Sequence, residues 1–98
     1  MKPVVIDPAA VQEMIGAETR LRKKNPKTAA DFENTLDEYI ELLGRQPQIG
    51  TPIIRGLRSF TMRRFPFNLI YADELERVNI LALAHHKRRF GYWLKRLK

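Results

Sequence analysis

The order of hydrophobic periodicities predicts an α+β fold: an N-terminal strand, an antiparallel helix hairpin packed on a three- to four-stranded antiparallel sheet, and a short basic C-terminal tail. Three observations predict it. A stripe of apolar residues at helical spacing fills the region after Pro26. Alternation with a period of two takes over after Pro52. No repeat or low-complexity linker divides the 98 residues, which is the length of about one small domain. Helices grouped ahead of a run of strands pack as one layer on one sheet face.

Lys2–Ile6 is short, β-branched and apolar, as a strand requires. Asp7-Pro8 opens a helix: Asp caps free N–H groups, and Pro loses nothing at a first helical position. Val11, Met14, Ile15 and Leu21 are expected on one face of it, and the basic run Arg20–Lys24 complements the negative end of the helix dipole. Asn25-Pro26 ends this helix and starts the next; Asn tolerates left-handed backbone, and a residue before Pro avoids the α region.

The second helix carries Ala29, Phe32, Leu36, Tyr39, Ile40 and Leu43 at spacings of three and four, with Gly44 as its expected stop. Phe32 and Tyr39 are read as core. The stripe Phe32, Leu36, Ile40 and Leu43 is expected to pack on Phe67, Leu69 or Ile70, and on Ile80 and Ala82. Two helices joined by a tight turn form an antiparallel hairpin. Gln46–Pro52, with Pro47, Gly50 and Pro52, reads as a loop.

Ile53–Arg64 is the next strand candidate, and Pro66 makes 65–67 a turn or an edge. Phe67–Ala72 and Arg77–Ala84 follow, joined through Asp73-Glu74-Leu75-Glu76. In the last strand Val78, Ile80, Ala82 and Ala84 alternate with Leu81 and Leu83, so both faces are apolar and the strand is central. The same alternation puts His86 in the core with Ala82 and Ala84, and His85 on the opposite face with Leu81 and Leu83. The tail Arg88–Lys98 interleaves Phe90, Tyr92, Trp93, Leu94 and Leu97 with cations and suits a short amphipathic helix.

Composition narrows the function classes. No apolar stretch approaches the roughly 20 residues of a membrane helix. An acid at Asp7 interrupts any signal-like apolar run, so a cytoplasmic protein is expected. Cysteine is absent, which removes disulfides and thiolate metal sites; neither a metal nor a cofactor is expected. Residues 1–50 hold 7 basic and 8 acidic side chains, and residues 51–98 hold 11 and 3, so charges of −1 and +8 sum to the net +7. The second half is a cationic surface that attracts acidic partners.

The sequence of motifs carries a resemblance over nearly the whole chain. Asn25-Pro26 lies between the helices, Pro47-x-x-Gly50 follows the second, and Gly56-Leu57-Arg58 opens the sheet. Arg64-Phe65-Pro66-Phe67 leads into Leu69-Ile70-Tyr71, and Ile80-Leu81-Ala82-Leu83-Ala84-His85 runs into Arg88-Arg89 and Gly91-Tyr92-Trp93. In this order they resemble the RelE/ParE superfamily of bacterial type II toxins, and its ParE-like, plasmid-stabilisation branch above all. The resemblance implies a single toxin domain over residues 1–98 that slows growth and is held inactive by a cognate antitoxin. ParE proteins act on DNA gyrase; RelE-type relatives cut messenger RNA in the ribosome. By that implication the chain contacts DNA gyrase or the ribosome as its target, reaches DNA only indirectly through its antitoxin, and has no membrane partner. An inactive interaction module of the same fold is the remaining alternative.

The residues themselves supply two sets of candidates. Cleavage of RNA needs a base for the 2′-OH, cations for the phosphate and an acid for the leaving oxygen; His85, Arg58, Arg89 and Tyr92 are the residue types available. A binding surface for the target draws on Arg58, Arg63, Arg64, His85, Arg88 and Arg89, since guanidinium groups suit anionic oxygens. Arg58 serves equally well as a structural arginine on a strand-end carbonyl. The antitoxin is expected to bring an acidic segment, disordered when free, over Phe90, Tyr92, Trp93 and Leu97.

Overall fold

A computed structural model describes residues 1–97. The chain forms β1 (Val4–Ile6), α1 (Pro8–Lys24), α2 (Pro26–Arg45), β2 (Thr51–Pro52), β3 (Leu57–Thr61), β4 (Phe67–Asp73) and β5 (Val78–His85), with 3-10 turns at Ile54–Gly56 and Tyr92–Arg96. The strands make one sheet in the order β1-β5-β4-β3-β2. β1 lies parallel to β5, and the other pairs are antiparallel. The α+β class and the helix hairpin match the reading of the sequence. The sheet has five strands and is mixed, because β1 joins it and Thr51–Pro52, read as loop, pairs with Arg58 and Ser59.

Local chemistry sets the helix ends. The Asp7 carboxylate accepts from the Ala9 N–H at 2.8 Å, with Pro8 at the first helical position. Asn25 ends α1 and caps α2, its side chain accepting from the Lys27 N–H at 3.0 Å. Its backbone is extended, at φ −162° and ψ 108°, and not left-handed; the following Pro26 dictates that choice. Gly44 does not stop α2, which runs on to Arg45. The glycine is there for close approach: a Cβ on it would lie 2.8 Å from the Lys2 carbonyl oxygen and 3.2 Å from Val4.

The helix hairpin covers one sheet face. Ala10, Met14 and Ala17 of α1, with Leu21 partly buried, pack with Phe32, Leu36 and Leu43 of α2 on Phe67, Leu69, Tyr71, Val78, Ile80 and Leu83. The α1 stripe is rotated from the expected one, and Ile15 is 53% exposed. The far face holds a second core of Leu57, Ile70, Leu81, Ala82 and Ala84, closed by Trp93 with Tyr92, Leu94 and Leu97 beside it. The tail is thus a strap across the sheet.

Ile70 and Ala82 lie on the far face and not under the helices as expected. The cause is a bulge. Ile70 pairs with Ala82 but Tyr71 pairs with Ile80, leaving Leu81 as an extra residue in β5. Leu81 and Ala82 consequently share the far face, and the strict alternation read from the sequence is broken there. The predicted strand Ile53–Arg64 is shorter for a similar reason, since Arg55 and Gly56 take left-handed backbone in the turn that precedes β3.

Candidate functional site

The pairing of β4 with β5 brings the β3–β4 turn against the end of β5. Phe67 lies opposite His85, and the His86 N–H donates to the Pro66 carbonyl at 2.9 Å. The last turn of α1 closes over the same place: Ala17, Arg20, Leu21, Lys23 and Lys24 line a cavity of about 380 Å³ with Pro66, Phe67 and His85. A second cavity of about 560 Å³ shares Arg20, Phe67 and His85 and continues between α1 and the tail, past Glu13, Lys87, Arg88 and Tyr92. Together they form one groove with an apolar floor and a cationic rim.

Arg63 and Arg64 stand on the turn next to this groove. Arg64 has φ 72°, a strained backbone for a residue with a side chain. Its guanidinium is 5.6 Å from the Phe65 ring centre and 3.5 Å from Asp31. Arg88 lies 3.9 Å over the Tyr92 ring, which holds that guanidinium flat. With Arg20, Lys23, Lys24, Lys87 and Arg89, these cations cover one end of the molecule. Among the described residues, Arg64 alone of the group has a carboxylate within 4.0 Å. The sequence reading took Arg20–Lys24 only as complement to the helix dipole; it missed that the topology brings this run alongside the basic run after β5.

His85 sits on the helix-covered face, edge-on to Phe67 with ring centres 5.1 Å apart. Its Nδ1 accepts from the Lys87 N–H at 3.0 Å. Burial, with Lys87, His86 and Arg20 nearby, pushes its pKa below the usual imidazole value. These surroundings disfavour the protonated imidazolium form. It shares its face with Leu83 as expected, whereas Leu81 has crossed over at the bulge. His86 is exposed and not core, because the chain leaves the sheet immediately before it. One ring nitrogen is 2.8 Å from the Asn68 Oδ1, and Asn68 donates to Ser59 Oγ at 2.9 Å. These groups and Arg88 border a far-face cleft of about 340 Å³ beside Phe90 and Trp93.

Arg58 is elsewhere. Its guanidinium donates to the carbonyls of Gly50 at 2.8 Å and Gln48 at 3.1 Å, at the opposite end of the sheet. Tyr71 fixes the same loop, accepting from the Gly50 N–H at 2.9 Å and donating to the Pro47 carbonyl at 2.7 Å. The structure thus gathers Arg63, Arg64, His85, Arg88 and Arg89 and separates Arg58 from them. Of the tail residues expected to meet a partner, Phe90 is 63% exposed, while Trp93 is 3% exposed and packed on the chain's own sheet.

Sequence reasoning missed a clasp. β1 pairs with β5 only from Val78 to Ile80, so the β5 edge beyond it has no strand partner on that side. Glu13 of α1 fills the gap, accepting from the Leu83 N–H at 3.1 Å, the Tyr92 hydroxyl at 2.5 Å and both Arg96 Nη atoms at 2.8 and 3.1 Å. Arg96 also donates to the Leu81 carbonyl at 2.8 Å. Burial opposes the Glu13 charge, but these hydrogen bonds and the Arg96 charge hold its pKa below the usual carboxylate value. Burial and the bond to Glu13 push the Tyr92 phenol up to about 12. Among the described residues no cluster of three or more His, Asp or Glu side chains is placed to hold a metal ion, and no helix is long and apolar enough to cross a membrane.

The family model for the ParE toxin of type II toxin–antitoxin system, parDE, matches residues 4–90. Among solved structures, a chain of the chromosomal ParDE toxin–antitoxin system from P. aeruginosa superposes with a TM-score of 0.78 at 18% identity, over 87% of this chain and 96% of that one, which is a likeness of fold. No curated protein sequence matches.

Proposed function

The chain belongs to the ParE toxin family of type II toxin–antitoxin systems, and from that premise we propose that it arrests growth in the cytoplasm by binding DNA gyrase and is neutralised by a cognate antitoxin. One observation carries the preference for binding over cleavage. Of the four residues of the cleavage set, Arg58 stands apart from His85 and Arg89, committed to the 48–50 loop at the far end of the sheet. The Tyr92 hydroxyl donates to Glu13, which leaves it no role as a proton source. What remains together is Arg63, Arg64, His85, Arg88 and Arg89, a cationic end suited to an acidic protein surface. The antitoxin brings an acidic segment, disordered when free, onto the strap. It covers Phe90, whose ring stands 5.0 Å from that of Trp93 beside the far-face cleft.

A supercoiling assay with purified gyrase and antitoxin-free toxin tests this reading. The expected result is inhibition by micromolar toxin, relieved by the antitoxin. No inhibition, together with messenger RNA cuts within codons on translating ribosomes, would replace it with the RelE-type reading.

A further inference from the structure

The cationic end reaches well past the groove that a peptide would fill. Arg63, Arg64 and Arg89 line none of its walls; they stand on the β3–β4 turn and on the turn after β5, one on either side of the His86–Pro66 hydrogen bond. A helix seated in the groove does not reach these charges, of which, among the described residues, only Arg64 has a carboxylate partner, Asp31. A duplex backbone, with one negative charge per ~1.7 Å of axis, meets groove rim and turns together. Two of the guanidinium groups are held in place by aromatic rings, Arg64 by Phe65 and Arg88 by Tyr92, so less side-chain freedom is lost on contact. The strained backbone at Arg64 presents that side chain at the tip of its turn.

We propose that this end binds the phosphate backbone of duplex DNA directly. The inference rests on the gyrase reading for its choice of polymer, since gyrase works on duplex DNA, and it departs from the expectation that DNA is reached only through the antitoxin. The contact is to phosphates, so it reads no sequence. Four or so neutralised phosphates give a slope of log affinity against log salt of about −3.6, or a loss of roughly 150-fold between 50 and 200 mM salt.

The test is fluorescence anisotropy of the full chain on a labelled 20-base-pair duplex, without gyrase. Arg63→Glu with Arg89→Glu should weaken binding at least tenfold and flatten the salt slope. Arg45→Glu with Arg77→Glu removes the same charge at the opposite end, where both arginines make exposed ion pairs with Glu41 and Glu74, and should stay within twofold. Circular dichroism confirms that each variant is folded, and Lys23→Glu with Lys24→Glu repeats the test on α1. Equal weakening by the two double variants would overturn the inference, as would no binding at 50 mM salt. Tighter binding of an RNA duplex or of an acidic polypeptide than of the DNA would overturn it too. Loss of gyrase inhibition in the wild-type chain refutes the gyrase reading and leaves the anisotropy result intact.

Discussion

Replacing Glu13 tests how the strap is held. Glu13 and Arg96 are 17% and 14% exposed in their side chains, and Glu13 accepts four hydrogen bonds. Glu13→Ala leaves the Leu83 N–H without an acceptor and strips Arg96 of its counter-charge, while the Leu81 carbonyl still binds Arg96. Bonds to charged groups contribute about 1.5–3 kcal/mol each, and partial exposure discounts them, so a total of about 3 kcal/mol is expected. Glu13→Gln keeps one carbonyl acceptor and loses the charge, at about 2 kcal/mol. The pH dependence has a definite sign. The folded-state pKa lies below 4.5, so as pH falls the unfolded chain takes up this proton first. The clasp's contribution is complete above that value and disappears as pH passes down through the folded-state pKa. Urea unfolding followed by the emission of Trp93, the single tryptophan, should show the full Glu13→Gln penalty near pH 7 and a shrinking one as pH falls through the folded-state pKa. A penalty under about 0.5 kcal/mol at pH 7, or one that is constant into acid, would refute the assignment.

Leu36, 7% exposed on the sheet-facing side of α2, should cost about 2–5 kcal/mol as Leu36→Ala in the same urea experiment. Gly50→Ala would set a Cβ 2.6 Å from the Tyr71 hydroxyl, and should lower stability by about 1–3 kcal/mol. Trp93→Ala should cost about 3–5 kcal/mol by opening the far-face core, whereas Trp93→Phe should stay within about 1 kcal/mol, because the indole N–H is buried without a partner; here calorimetry replaces tryptophan emission. For the same reason removal of Phe90–Lys98 should destabilise the domain as a whole. Tyr92 should ionise only near pH 12 in an ultraviolet titration. Its folded-state pKa lies above the ordinary phenol value of 10.0, so its contribution is present below pH 10 and lost as pH rises through about 12.

The helices were legible because their signals are local. Caps at Asp7 and Asn25 and the α2 stripe depend on neighbours within a turn or two. What was not legible depends on partners far along the chain. The bulge at Leu81 exists only in its pairing with β4, and it moved Ala82 to the far face. Gly44 reads as a helix stop until the Lys2 carbonyl lies 2.8 Å from where its Cβ would be. Arg58 is as suitable for a ligand as for a carbonyl, and only the position of Gly50 decides. In the candidate site the basic run after β5 was visible, but Arg20, Lys23 and Lys24 join it only because α1 ends over Phe67.

The short first strand links these features to the proposed activity. β1 pairs with three residues of an eight-residue β5. An uncovered stretch of edge backbone invites another chain to pair with it. Here Glu13 and Arg96 occupy that edge with side-chain hydrogen bonds. The same two residues anchor the strap, which seats Trp93 on the far face and puts Tyr92 beneath the Arg88 guanidinium. One acidic residue on α1 therefore protects an edge, closes the second core and orients an arginine of the cationic end. Loss of Glu13 should weaken function through Arg88 as well as through stability, and Tyr92→Phe separates the two. It keeps the ring under Arg88 while removing only the hydroxyl bonded to Glu13, so DNA anisotropy should be unchanged by Tyr92→Phe and weakened by Tyr92→Ala. Equal behaviour of the two variants would mean that the ring does not position Arg88.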